Sequence, residues 1–358
     1  MFAITIFFLS TFSAAAQDPM TAETLWKMQR IGSLDLSPDG STAAIVATSY
    51  DLETNKGNGD IWLVDVATGK ARQFTAGKTT ESGPKWSPDG SFIAFTAKRD
   101  NDERPQLYVI PADGGEARRL TDMPMGVSGV QWFPDGKRIA FVSSTLPGYG
   151  MNFDSLKAEI KRRKESKVTA RITEDRLYRY WDHYLTDGYL KHIYAVNVTS
   201  ENLQDLTPAM DRMFSYSGGV DYDISPSGEE LAVTALVKGS PYDELYTDIY
   251  TMPADGSGTM TSITASNAAD DFGARYTRDG KYLLYGRQLR TDMNAENVKL
   301  VRLDRNSGEV IDLCRGFDRS PSGWTTNESA NTVYFTASHL AKTSVFSVPM
   351  SGGAVSML

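Results

Sequence analysis

One tetrapeptide returns along this chain at near-regular intervals. It reads Ser37-Pro38-Asp39-Gly40, Ser87-Pro88-Asp89-Gly90 and Phe133-Pro134-Asp135-Gly136, then weakens to Ser225-Pro226-Ser227-Gly228 and Thr277-Arg278-Asp279-Gly280. Proline presets a turn φ, aspartate bonds its own backbone and glycine accepts a positive φ, so each copy reverses the chain tightly. The flanks are short apolar runs, such as Val130-Gln131-Trp132 before the third copy and Arg138-Ile139-Ala140-Phe141-Val142 after it. Runs of that length and composition read as strands buried between stacked sheets.

Every copy has a second half built as strand, turn and strand. Ile61-Trp62-Leu63-Val64 leads through Thr68-Gly69 to Phe74-Thr75, and Leu107-Tyr108-Val109-Ile110 leads through Asp113-Gly114-Gly115 to Leu120-Thr121. The pattern recurs to Leu206-Thr207, Ile263-Thr264 and Leu313-Cys314, and finally from Val345-Phe346-Ser347-Val348 to Met357-Leu358. Two hairpins per unit make a four-stranded blade, so the expected fold is an all-β β-propeller.

The residues just before the turns are Leu36, Trp86, Trp132, Ile224, Tyr276 and Trp324, separated by 50, 46, 92, 52 and 48 residues. Four of these gaps match one blade each. The sixth copy, Trp324-Thr325-Thr326-Asn327, has lost Pro-Asp-Gly and is placed by its second half. The long gap holds either a lost repeat or an insertion. Residues 146–190 lack the turn-strand signature and read as a helical insertion. Six blades are therefore visible within 20–358, in what is expected to be an incomplete seven-bladed ring. Trp86 and Trp132 are expected at equivalent positions, buried between neighbouring sheets.

Length alone, 358 residues with 41% apolar content, would suggest two or three domains. The repeat overrides that, because one propeller absorbs most of such a chain. A net charge of −8 argues against a nucleic-acid partner, which needs basic patches. One cysteine, Cys314, and three histidines leave little material for a disulfide or metal centre, and no cofactor is expected. The apolar run Phe2–Phe12 leads into Ala14-Ala15-Ala16 before Gln17, which reads as a signal peptide over 1–16. The expectation is export, to a bacterial periplasm, with no membrane span in the mature chain.

Within the insertion, Lys157-Ala158-Glu159-Ile160-Lys161-Arg162-Arg163-Lys164-Glu165 is dense in helix formers, and its charges read as a solvated face. Thr173 is placed to cap a second short helix, with Glu174 and Asp175 in its first turn. Arg176, Arg179, Tyr180, Trp181, Asp182 and His183 then crowd aromatic and ionisable groups together. That mix suits docking a peptide terminus, and equally suits tying the arm to a blade. Glu159, Glu165 and Glu174 are the acidic groups that could read an N-terminus.

Catalytic signatures are missing. There is no Gly-x-Ser-x-Gly; Gly126-Val127-Ser128-Gly129 and Gly256-Ser257-Gly258 have the wrong spacing for a nucleophile elbow. No His-Glu-x-x-His, P-loop or dinucleotide fingerprint appears. Asp39, Asp89, Asp135 and Asp279 are turn formers. The residues alone describe a binding or gating module.

Six Ser-Pro-Asp-Gly-type units behind an export signal, a charged helical insert ending in Tyr180-Trp181-Asp182-His183, and the run Leu284-Tyr285-Gly286-Arg287-Gln288-Leu289-Arg290 together resemble one family. It is the N-terminal propeller of prolyl oligopeptidase family serine peptidases, in the dipeptidyl aminopeptidase/acylaminoacyl-peptidase branch. The resemblance covers 20–358. It implies a filter that admits short peptides to a C-terminal α/β-hydrolase domain, for which this chain has no matching positions. No catalytic residue is carried over. It also implies that the chain is a fragment exposing a blade face, and so a self-associating one. A stand-alone TolB-like periplasmic propeller that binds a protein partner is the alternative.

Overall fold

The computed structural model describes residues 20–99, 101–174, 178–237, 245–291, 293 and 295–358. The proposed signal peptide lies outside them. Six antiparallel sheets of four strands each follow one another along the chain, spanning 30–73, 81–119, 128–205, 222–262, 271–312 and 322–357. They are blades 1 to 6. Each blade takes its four strands from one stretch of chain, blade 3 with a separate two-stranded hairpin inserted between its second and third strands, so among the described residues no strand of one blade completes the sheet of another.

The tetrapeptide forms the hairpin between first and second strands, and its hydrogen bonds explain its composition. Ser37 Oγ donates to Asp39 Oδ1 (2.5 Å) and accepts from Thr42 N (2.9 Å), while Gly40 sits at φ +72°. Ser87 and Thr277 repeat the same pair of bonds at 2.6 and 2.9 Å and at 2.5 and 3.0 Å. The proline has a further task. A Cβ on Gly90 would lie 3.6 Å from Pro38 Cδ, one on Gly228 3.6 Å from Pro134 Cδ, and one on Gly280 3.8 Å from Pro226 Cδ. Each proline therefore packs on the glycine of the next turn, linking the turns side by side. The fifth copy replaces proline with Arg278, which instead meets Glu328 of the sixth turn at 3.5 Å.

The sixth turn is Asn327-Glu328-Ser329-Ala330, which corrects the placement at 324–327. Asn327 Oδ1 accepts from Thr332 N (3.1 Å), as the serine hydroxyl does elsewhere, and Ala330 holds the glycine position at φ +51°. The residue before this turn is accordingly Thr326, not Trp324. Blade endings shift in the same way. Leu120 N bonds Leu107 O (2.8 Å), and the equivalent bond in blade 6 is Leu358 N to Val345 O (2.9 Å). The leucine position is thus Leu358. The threonine that follows it in blades 1 to 4 accepts a third-strand N–H through its hydroxyl, as Thr121 does from Leu107 (3.0 Å) and Thr207 from Ile193 (2.9 Å).

Apolar clusters fill the spaces between successive blades. Ile61 and Leu63 of blade 1 meet Ile93 and Phe95 of blade 2, and Leu284 and Leu300 of blade 5 meet Val333 and Phe335 of blade 6. Polar clamps cross the same interfaces at the first strands. Asp35 accepts from Trp86 N (2.8 Å) and pairs with Lys85 (2.9 Å); Asp223 accepts from Tyr276 N (2.8 Å). Trp132 donates its indole N–H to Lys85 O (3.0 Å) and Trp324 to Gly273 O (2.9 Å). Trp86 and Trp132 do occupy equivalent positions beside the preceding blade, but half-buried.

The strand directions divide the molecule into two faces. All six tetrapeptide turns, and the third-to-fourth connections, lie on one. The second-to-third connections and the links to the next blade lie on the other, here the loop face. The chain enters blade 1 at Arg30 and leaves blade 6 at Met357 on the loop face.

Candidate functional site on the loop face

Blade 3 carries the long excursion. Its second strand, Arg138–Thr145, pairs through its whole length with its third, Leu190–Asn197, and the chain between them leaves on the loop face. One helix, α1 (Phe153–Glu165), opens the excursion. Asn152 caps it by accepting from Ser155 N (3.1 Å), and three basic residues occupy its last turn. Leu156 is fully buried, and Phe153 meets Tyr194 of blade 3 edge-on at 6.3 Å. Lys157 pairs with Asp122 at 2.7 Å, so the helix is fastened to the loop leading into blade 3.

The second helix expected from Thr173 does not form over the described residues. Residues 170–174 are irregular, and a two-residue turn joins the short strands Arg179–Tyr180 and His183–Tyr184. Aromatic side chains on neighbouring strands pair across such a hairpin, and Tyr178 meets Tyr184 at 5.5 Å. Trp181 turns the corner at φ +50°.

The hairpin places the six sequence-read residues unequally. Arg176 lies outside the described residues. Tyr180 reaches the link between blades 3 and 4, its ring 5.8 Å from Tyr216. Arg179 leans on Tyr184 at 5.9 Å. Trp181 (79% exposed) stands at the tip, and the exposed Asp182 lies 3.4 Å from Nε2 of the likewise exposed His183. Glu159 is engaged by Arg162 and Arg163, both at 2.7 Å, which hold its carboxyl at about 2. Glu165 stands 3.9 Å from Lys161.

Between this arm and the blade 3–blade 4 link lies a cleft of about 320 Å³. Tyr184, Tyr189, Phe214 and Tyr216 line it together with Lys191 and Asp187. Burial lifts the Tyr216 phenol to about 12. Lys191 is half-buried, and desolvation lowers its pKa. Its ammonium donates to Gly218 O, and no carboxylate lies within ion-pairing distance among the described residues. Sequence reasoning missed this residue. The available signal was a lysine directly before the apolar strand His192-Ile193-Tyr194-Ala195-Val196.

A serine, a histidine and an aspartate do converge in blade 3. Ser143 stands opposite His192, whose Nδ1 lies 2.7 Å from Asp205 Oδ2. All three are at least nine-tenths buried, and Ser143 Oγ has no hydrogen-bond partner. A nucleophile needs access to substrate and a bond to its base, so this trio is a packing element between blades 2 and 3. Cys314 is buried too, and burial pushes its thiol to about 12. Among the described residues no group of His, Cys, Asp and Glu could hold a metal ion, and no helix is long and apolar enough to cross a membrane.

Comparison with known proteins places these blades. Residues 54–175 match the family model of the Tricorn protease N-terminal β-propeller domain. Dipeptidyl-peptidase 5 of Porphyromonas gingivalis is 25% identical over 344 residues, covering 94% of this chain and 48% of that protein. Its counterpart in Porphyromonas endodontalis is 25% identical over 292 residues, covering 79% of this chain and 40% of that protein. The chain spans about half the length of the curated relatives it matches. Among solved structures, the acylaminoacyl peptidase of Pyrococcus horikoshii superposes with a TM-score of 0.66 at 18% identity, covering 93% of this chain and 46% of that one. The propeller of the Trilobed protease from Pyrococcus furiosus, described as having an open velcro topology, gives 0.59 at 15%, covering 92% and 83%. The chain is a β-propeller of the type found in peptidases. More particularly, it is similar over most of its length to the dipeptidyl-peptidases 5, of which it spans about half.

Proposed function

We propose that this chain is the non-catalytic propeller of an exported serine exopeptidase of dipeptidyl or acylaminoacyl type, and that its loop face docks and gates short peptides for an α/β-hydrolase domain. One observation carries the reading: the long insertion, its aromatic cleft and both ends of the propeller all lie on the loop face. A domain joined to either end starts from the face that already bears the arm. Loops held by a rigid scaffold are where binding concentrates. The arm residues Arg179, Tyr180, Trp181, Asp182 and His183 are the proposed peptide contacts, together with Arg176. The relatives named as dipeptidyl-peptidases supply the substrate class.

The test reads the coding DNA beyond codon 358 and assays the full-length product. An open frame carrying Gly-x-Ser-x-Gly, and a protein that cleaves dipeptidyl p-nitroanilides but not the same residues within a folded protein, is the expected result. A stop codon at 359 with no activity would overturn it and favour a free-standing binding propeller. N-terminal sequencing of the secreted protein, expected to begin at Gln17, checks export.

A further inference from the structure

The cleft beneath the insertion hairpin shows an unusual pairing of features. Its walls are aromatic: Tyr184 and Tyr189 from the arm, Phe214 and Tyr216 from the blade 3–blade 4 link. Its one ammonium, on Lys191, sits at the start of the third strand of blade 3. That group is half-buried, and its only protein partner among the described residues is the carbonyl of Gly218. Three N–H bonds and one neutral acceptor leave donors to spare. Other cations near the arm are engaged: Lys157 pairs with Asp122 at 2.7 Å, while Arg162 and Arg163 share Glu159. Asp187 also lines the cleft, but its Oδ1 accepts from Tyr189 N (3.2 Å), and it lies beyond ion-pairing distance of Lys191.

A partly desolvated ammonium without a counter-charge is costly, and an anion brought to it recovers that cost. The flat walls fit rings or aliphatic side chains, and about 320 Å³ suits a ligand of two residues. We propose that this cleft binds the C-terminal carboxylate of a short peptide at Lys191, with the last side chain lodged between Tyr184 and Tyr216. The inference rests on the reading of the loop face as a peptide-docking surface and specifies the chemical end of the peptide held there. It gives Lys191 a positioning role in binding, not a part in bond cleavage. The lowered pKa of Lys191 is the mark of the same desolvation.

The experiment is calorimetric titration of the full chain with glycyl-phenylalanine, its C-terminal amide, and glycyl-glutamate with an amidated C-terminus. The free acid is expected to bind at least tenfold more tightly than either amide. Lys191→Gln should abolish that preference, and Lys191→Arg should retain most of it. Equal binding of acid and amide would overturn the proposal, as would an unchanged preference in Lys191→Gln or no binding of the free acid at millimolar concentration. If the side-chain carboxylate of the glutamate amide binds as tightly as the free acid, the assignment to the terminus falls. Should Lys191→Gln fail to fold by circular dichroism, the acid-against-amide comparison on the unaltered protein decides alone. Failure of the wider reading looks different: a stop at codon 359 and no peptidase activity, with acid selectivity intact, would remove the exopeptidase role and leave the cleft.

Discussion

Gly40 and Gly273 share a φ of +72°, yet their surroundings are opposite. Nothing lies within 4 Å of a Cβ built on Gly40, whereas one on Gly273 would meet Trp324 Cζ2 at 2.6 Å. Gly40→Ala should therefore cost only the left-handed backbone penalty, about 1 kcal/mol. Gly273→Ala must also displace the indole that bonds Gly273 O, and should cost clearly more, about 2–4 kcal/mol. Urea unfolding of the two variants checks this, and equal costs would mean that blades 5 and 6 do not touch there. Gly273 belongs to a device the sequence displayed unrecognised. Gly83, Gly129, Gly273 and Gly323 all lie in first strands at positive φ, where the pairing register slips by a bulge. The recurring Ser-Gly before Pro84-Lys85-Trp86 and Val130-Gln131-Trp132 was its signal, hidden because it lies ahead of the louder turn motif. Asp271 gives a prediction in pH. It is fully buried against Arg287 at 2.9 Å, and burial outweighs the ion pair, raising its carboxyl to about 6. The folded state then binds the proton more tightly than the unfolded chain, so this group's contribution declines as pH rises from about 4 to about 6. Unfolding free energies measured across that window should fall less steeply in Asp271→Asn than in the unaltered protein.

At the scale of elements, the blades were legible because each hairpin states its own turn chemistry, whereas the arm is decided by what it packs against. Helix formers predicted α1, and the structure adds that Leu156 and Phe153 dock it. The stretch after Thr173 offered a cap and acidic residues, but a helix of that length is marginal alone. Its tyrosines gain more by pairing as a hairpin and resting on Tyr216. The same distinction separates two basic residues that the sequence grouped on one solvated face. Lys161 stands in solvent, 3.9 Å from Glu165, while Arg163 bonds Glu159 and the carbonyl of Asp187 (2.5 Å) and lies over Tyr189 at 5.3 Å. Lys161→Ala should change stability by less than about 0.5 kcal/mol, and Arg163→Ala by about 1–2 kcal/mol. Leu156→Ala should uncouple the helix. Amide exchange across 153–165 is expected to accelerate strongly, while the strands 138–145 and 190–197 stay protected, because the blade's own hairpin does not depend on the arm. Uniform loss of protection in both would show that the arm is part of the blade's fold.

In the whole molecule, the interfaces from blade 1 to blade 6 are each filled, but no hydrogen bond, ion pair or apolar cluster joins blade 6 to blade 1 among the described residues. Pairing places Leu34, Leu36, Ile45, Trp62 and Val64 on the side of blade 1 turned away from blade 2. Leu34 and Leu36 are 56% and 51% exposed there. Blade 6 turns Tyr334, Thr336 and Val345 outward in the same way. No single repeat encodes whether a ring closes, since every unit specifies only its own sheet and its next neighbour; the count of six blades was legible in the repeats. An apolar sheet face of this extent is an association surface unless something covers it. We therefore expect residues 20–358, prepared alone, to sediment as concentration-dependent oligomers. Leu34→Lys combined with Leu36→Lys should shift them towards monomer without lowering the melting temperature, because neither leucine supports a neighbouring blade. A monodisperse monomer at high concentration, or a double variant that melts several degrees lower while its association is unchanged, would mean that blade 1 already has a partner within its own chain.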